Sequence, residues 1–370
     1  LEIANSSITN AANKTMTGIQ ANDVAMAQEN NKSLYARNKV TLANEGNINL
    51  SGTTSTGIYA KFGELHNRAT GVITIANKST AMYGIDDSLL ENAGKITVGN
   101  NAVGIYGYEA DNSGDITVGD AGIGIYSQGG DINLTGGTIK TGAKSGKDEA
   151  VGVYTVGNSQ AITNNGTNFN FGDNSFGFVN VGSGNTIVSN ISNVGLGNKD
   201  VYIYSNDTAG TVTNNTNISS SGQENYGIYS AGIVTNNGDI DLSGIGSVAV
   251  YSVKGGTATN TGTIKVGASD TVNDLFSIGM GAGYGTTDTG NVINNGTIIV
   301  NGKNSIGMYA SGAGSTATNN KNIVLNADNT TGIYADEGAT AINTGTITSS
   351  GTHSNVVGVY LGRNSTLNNT

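Results

Sequence analysis

The sequence predicts an all-β fold, a parallel β-helix (solenoid) with about 25 residues per turn and about 13–14 turns. Three observations carry that expectation. A tripeptide recurs along the chain, a second phrase sits between its copies, and the composition is rich in turn formers while lacking Pro, Cys and Trp.

The tripeptide is small–hydrophobic–Tyr. It appears as Gly57-Ile58-Tyr59, Ala81-Met82-Tyr83, Gly104-Ile105-Tyr106, Gly124-Ile125-Tyr126 and Gly152-Val153-Tyr154. It returns as Gly227-Ile228-Tyr229, Ala249-Val250-Tyr251, Gly307-Met308-Tyr309, Gly332-Ile333-Tyr334 and Gly358-Val359-Tyr360. Degenerate copies are Gly177-Phe178-Val179, Tyr202-Ile203-Tyr204 and Gly279-Met280-Gly281. About twelve steps carry Tyr59 to Tyr360, so the mean period is about 25, inside the range of solenoid repeats.

The second phrase is Asn-x-Gly-x-Ile, followed by a polar and then an aliphatic residue. Asn92-Ala93-Gly94-Lys95-Ile96-Thr97-Val98 and Asn236-Asn237-Gly238-Asp239-Ile240-Asp241-Leu242 are examples. Both phrases alternate with period two, the signature of strands. By that alternation the residue before each Gly, or before Tyr202 or Ala249 in its place (Val103, Ile123, Val151, Val201, Val248, Ile306, Val357), shares the inward face with the residue after it. Tyr then falls on the outer face. No stretch has a convincing helical period; residues 22–36 come nearest, and irregularly.

A unit of two or three short strands cannot bury its own apolar face, but copies stacked on one another can. Absence of Pro suits central strands, which cannot lose a ladder N–H. Asn repeated at one place suits a ladder of side-chain amides from rung to rung. The expected organisation is one solenoid segment over residues 1–370, with 1–33 as irregular or incomplete first turns and 34–370 as regular repeats. Leu1 is not an initiator Met and the last residues resemble the start of another unit, so the chain reads as cut from a longer protein.

Seventeen basic against 27 acidic residues give a net charge of −10. That argues against nucleic acid, which needs a basic stripe, and against an anionic membrane surface. No apolar run is long enough to span a bilayer as a helix. Zero Cys excludes thiol nucleophiles and Cys-ligated metals, and the two His residues, His66 and His353, are far apart. No cofactor, metal site or catalytic residue is expected. Acids at the outward strand positions are isolated: Asp115 has Lys95 beside it, an expected surface ion pair. Asp86, Asp87 and Glu91 cluster in a turn without an evident basic partner. Residues 61–68 read as a solvated turn with His66 on the surface.

Candidate binding residues lie where the repeat is irregular. One long connection carries Lys144, Lys147 and Asp148, and another leads to Phe276 and Tyr284. Solenoid insertions often build one binding face, although a surface loop is also tolerated at little cost. The outer column of Tyr59, Tyr83, Tyr106, Tyr126 and Tyr154 is either an aromatic ladder that stabilises the coil or a flat stripe able to stack on a sugar ring or a protein surface. Val179 and Gly281 interrupt that column.

The pairing of Asn-Asn-Gly-Thr-Ile with Gly-Ile-Tyr-Ala, repeated about every 25 residues, with Gly332-Ile333-Tyr334-Ala335 to Asn343-Thr344-Gly345-Thr346-Ile347 as a representative unit, resembles the passenger domains of monomeric (type V) autotransporter adhesins of the fusobacterial type. The likeness covers about residues 34–370. It implies a right-handed β-helix displayed on the cell surface and anchored in the outer membrane by a C-terminal β-barrel outside this sequence. It implies attachment to a protein or glycan receptor on host cells or other bacteria, with lateral self-association as a further option. A polysaccharide-degrading β-helix enzyme and a non-binding stalk are the alternatives.

Overall fold

The computed structural model describes residues 6–29 and 40–370. The fold is a parallel β-solenoid of about 13 turns, about 25 residues each, with no helix among the described residues. Contacts divide it into two units, Leu1–Gly182 and Ser183–Thr370. The stretch nearest to a helical period begins at a strand, Val24–Glu29; residues 30–36 lie outside the described residues.

Each turn contains three strands. In the second unit, Ile233–Asn236, Ile240–Leu242 and Val248–Ser252 make one turn, and Thr257–Asn260, Thr263–Val266 and Ile278–Ala282 make the next. Each strand pairs in parallel with its counterpart in the neighbouring turn, so Asn236 faces Asn260, Ile240 faces Ile264 and Tyr229 faces Tyr251. The first unit is built the same way, for example from Leu89–Asn92, Lys95–Val98 and Val103–Gly107. Leu90, Ile96 and Ile105 of that turn are fully buried. Each such side chain contributes roughly 1.5–3 kcal/mol on burial.

The Asn-x-Gly phrase spans the first corner of the turn. Its Asn ends one strand with its amide turned inward, and its Ile begins or nearly begins the next. The Nδ2 of Asn236 donates to Asn260 Oδ1 (2.8 Å) and to the Gly238 carbonyl (2.8 Å), while its own Oδ1 accepts from Asn214. The same relay continues through Asn294, Asn319, Asn343 and Asn369. In the first unit it runs Asn10, Asn44, Asn67, Asn92 and Asn112. Leu134 then occupies the ladder position, fully buried, and Asn112 instead donates to the Gly114 and Gly136 carbonyls.

The tripeptide strands depart from simple alternation. In Val103–Gly107 both Gly104 and Ile105 face inward, so Val103 lies outside with Tyr106. The register pairs Val103 with Ile123 and Ile105 with Ile125. A Cβ on Gly104 would lie 2.6 Å from the Gly124 carbonyl oxygen and 2.8 Å from Ile116 Cγ2. Gly is needed there for space, and the backbone kinks at it. Extending period two through the Gly therefore misplaces the preceding residue: Val103, Ile123, Val201 and Ile306 sit half-buried on the outer face. Tyr202 is an instructive exception at the Gly position. It points into the core, fully buried, with its hydroxyl 2.6 Å from Ser189 Oγ.

Two charged stretches also differ from expectation. Glu64–Asn67 is a strand, not a solvated turn. His66 is only 7% exposed, with Nδ1 2.5 Å from Glu91 and Nε2 3.5 Å from Glu64. Asp86 has Lys61 at 3.8 Å. Glu91 for His66 and Lys61 for Asp86 each come from an adjacent rung, 25 residues away in sequence, and are not evident from the local sequence. Lys95 and Asp115 are register neighbours, and Asp115 Oδ1 accepts the Thr138 N–H.

Replacing Asn236 by Ala removes the acceptor for Asn214 and the donor to Asn260, leaving two buried amides short of a partner. The expected destabilisation is about 2–4 kcal/mol, read as a lower urea midpoint with an unchanged m-value.

Candidate functional site

In the first unit the Tyr column is a stack. Tyr106 and Tyr126 have centroids 4.8 Å apart with an interplanar angle of 1°, and Tyr126 and Tyr154 are at 5.4 Å and 4°. Tyr59–Tyr83 is tilted at 43° and Tyr83–Tyr106 is edge-on at 70°. Where rings stack on one another their faces are occupied, so the column presents chiefly edges and hydroxyls outward. The Tyr59 hydroxyl donates to Glu29, and Gln128 donates to the Tyr106 hydroxyl. Val179 takes the place of the next ring.

The connection that carries Lys144, Lys147 and Asp148 is a small exposed hairpin. Ser145 and Asp148 exchange backbone bonds (2.9 and 3.2 Å), and Lys144 Nζ reaches Glu149 at 2.5 Å. Lys147 and Asp148 project into solvent.

The second unit differs. Its column runs Tyr204, Tyr229, Tyr251, then Gly281, then Tyr309, Tyr334, Tyr360. Tyr229 and Tyr251 are parallel within 3° at 5.7 Å; beyond the gap Tyr309 is tilted at 35° to Tyr334 at 5.8 Å, and Tyr334 stacks on Tyr360 at 4.7 Å. At Gly281 there is no side chain, and the Tyr251 ring leans into the space: a Cβ there would lie 2.5 Å from two of its ring carbons. The Tyr251 hydroxyl is fixed by donating to the Gly283 carbonyl at 2.6 Å.

Both ends of strand Ile278–Ala282 carry an extra hairpin. Before it, Asp270 and Leu275 close one through mutual backbone bonds of 2.8 and 2.9 Å, and Asp270 also caps Val272 and Asn273. After it, Tyr284 and Asp288 close another (3.0 and 3.3 Å), and Asp288 Oδ1 accepts the Lys254 N–H at 2.7 Å. Together they flank a cleft of about 750 Å³ over the outer face. Val248, Ile278 and Ile306, with Tyr229, Tyr251, Tyr309 and Tyr334, line its apolar part, and Phe276 and Tyr284 stand on its sides. Phe276 is 42% and Tyr284 75% exposed. Glu224, Asp274, Asp288 and Asp336 supply carboxylates; Lys199, 3.1 Å from Glu224, supplies the one ammonium in the lining.

Phe276 and Tyr284, expected from sequence as separate features of one long connection, thus meet in a single cleft. Tyr59, Tyr83, Tyr106, Tyr126, Tyr154, Lys144, Lys147 and Asp148 belong to the first unit and none lines it. Sequence reasoning missed Tyr226, Tyr229, Tyr251, Tyr309 and Tyr334. The available signal was a coincidence: the column loses its ring at Gly281, in the strand that has an insertion on each side.

Burial raises the phenol of Tyr251 well above its ordinary 10.0, with neighbouring Tyr309, Tyr226 and Tyr229 adding to the effect. Burial acts in the same direction on Tyr226 and Tyr229. A raised folded-state value means the stabilisation is complete below pH 10.0 and is lost as pH climbs above it, because the unfolded chain ionises first. Urea midpoints should therefore hold to about pH 9 and fall between about pH 10 and 11. Tyr251→Phe should lessen that fall, at a cost of about 1 kcal/mol near neutrality from the lost hydroxyl bond.

Neither curated proteins nor solved structures gave a match. A family model described as the BigA third pectate lyase-like domain matches residues 135–370, more than half of the chain, including the entire cleft. That match agrees with a β-helix of the passenger type and does not single out the fusobacterial type. Its pectate lyase-like description concerns a fold that enzymes share and is not in itself a sign of catalysis. On this match the chain belongs to the family of the BigA third pectate lyase-like domain.

Proposed function

We propose that this chain is an adhesin-type β-helix, displayed on the cell surface, that attaches to a receptor on host cells or other bacteria through the aromatic cleft of its second unit. The observation that carries the reading is the convergence of three irregularities on one strand. Two hairpins and a missing ring all fall at Ile278–Ala282. A stalk has no need to assemble a cleft with exposed Phe and Tyr side chains, whereas aromatic anchors in a recess suit binding. The family match adds support for an adhesin-like β-helix. Anchoring through a C-terminal outer-membrane β-barrel, and the finer fusobacterial-type assignment, rest on the repeat resemblance and complete the proposal.

Labelled protein should bind mammalian cells or partner bacteria saturably. Phe276→Ala together with Tyr284→Ala should weaken that binding by about thirtyfold, the loss expected of an aromatic hot spot, while the circular dichroism spectrum stays unchanged. Loss on Lys144→Ala with Lys147→Ala instead would move the site to the hairpin of the first unit. Absence of binding to every surface would favour a stalk, and turnover of a glycan panel would favour an enzyme.

A further inference from the structure

The chemistry of the cleft restricts what can fill it. Its backbone is already paired: Ile278–Ala282 is bonded to Val248–Ser252 on one side and Ile306–Ser311 on the other. A peptide therefore cannot join as an added strand, and recognition must come from side chains. Those side chains are aromatic faces and hydrogen-bond acceptors. The ladder break at Gly281 leaves no ring between Tyr251 and Tyr309, two rungs or about 10 Å apart. Four carboxylates against one lysine leave the lining negatively charged. Glu224 is paired with Lys199, whereas the Asp274 carboxylate has no hydrogen bond or ion pair among the described residues. Asp288 and Asp336 accept only backbone N–H groups from Lys254, Glu337 and Arg363.

Covering these carboxylates with a neutral group would strip water from them without a compensating charge. An anionic ligand would be repelled outright. The occupant must therefore be donor-rich, cationic and faced with C–H surface that can lie on tyrosine. The cleft also draws on five successive tripeptide strands, from Tyr226–Ser230 to Thr331–Asp336, a length of about 19 Å at the rung spacing. That length suits several units of an extended polymer.

We propose that the cleft is a subsite for a glycan carrying free amino groups, a hexosamine polymer that has lost acetyl groups. The pyranose faces lie against Tyr251, Tyr309 and Phe276. The ammonium groups pair with Asp274 and Asp288, and hydroxyls donate to the remaining carboxylates. This deepens the adhesin reading and rests on it for its biological setting, though binding by the purified chain can be tested separately.

The test is isothermal titration of the purified protein with three probes: a glucosamine tetramer, the N-acetylglucosamine tetramer of equal length, and tetralysine. The glucosamine tetramer should bind at least about tenfold more tightly than either of the others, and its affinity should fall as salt rises. Asp274→Asn with Asp288→Asn should reduce that affinity about tenfold. These changes keep an acceptor at Asp288, and at Asp274, whose φ is 56°, they install a residue tolerant of left-handed backbone. An unchanged thermal midpoint establishes that the double variant is folded. Equal binding of the acetylated tetramer would overturn the role of charge, and equal binding of tetralysine would overturn the role of the sugar ring. No binding, or no effect of the double variant, would overturn the subsite. If the labelled protein still attaches to cells but the glucosamine tetramer neither binds nor competes, the subsite fails and the adhesin reading stands. If the tetramer binds and no cell surface is recognised, the adhesin reading fails and the subsite stands.

Discussion

A buried primary amide needs partners on both sides, and this chain meets that need by placing another Asn one rung above and one below. Asn236 shows the whole device: it accepts from Asn214, donates to Asn260 and closes its own corner on the Gly238 carbonyl. The bond holds only if neighbouring turns are in strict register, because a one-residue slip would bury an aliphatic group opposite an amide and turn the Asn out. The column therefore fixes the register of every strand that follows it in the turn. The Ile positions of the second strand and the Tyr positions of the third are stacked because the corner before them is stacked. Where Leu134 takes the place of Asn, the neighbouring Asn112 and Asn164 each bond within their own corners, and pairing still runs through Leu134.

The second constraint is steric. At Gly104 a Cβ would lie 2.6 Å from the Gly124 carbonyl oxygen of the next turn, and two consecutive residues face the core. That kink, not simple alternation, puts an aliphatic residue beside Tyr on the outer surface. The outer face of the third strand is thus apolar in two adjacent columns. Where rings stack unbroken, as from Tyr106 to Tyr154, that face is largely satisfied by contacts between its own side chains. A ladder of this kind stabilises the coil and offers few free ring faces.

Much of this was legible in the sequence, for a physical reason. In a solenoid the rung-to-rung contacts occur between equivalent positions of the repeat, so a column of like residues in the alignment of repeats is a column in space. The parallel coil, its period, the Asn ladder, the outward Tyr residues and the breaks at Val179 and Gly281 could all be read that way. What could not be read was anything that departs from period two or pairs residues of different kinds from one rung to the next. The kink at Gly104 moved Val103 to the outer face. His66 found Glu91 across a rung and became buried. Phe276 and Tyr284 were visible as residues in an irregular stretch. That they flank one cleft with Tyr251 and Tyr309 depends on where two hairpins fold back, which the repeat does not encode.

Regularity itself then explains why the cleft is where it is. A stacked column leaves no room at its outer face, because each rung fills the space its neighbour leaves. Room appears only when one rung lacks its ring and adjoining loops are long enough to rise beside it. Gly281 supplies the first condition, and the hairpins closed by Asp270 with Leu275 and by Tyr284 with Asp288 supply the second. Either change alone would be a tolerated irregularity: the gap would be partly filled by Tyr251 leaning over, and the hairpins would be surface loops of little energetic consequence. Together they convert a self-satisfied ladder into a recess with apolar walls and acidic edges, while the Asn column in the same turns keeps Asn260 and Asn294 bonded to each other. The scaffold can carry such a recess because its register is fixed at the opposite corner, independently of what happens on the Tyr face.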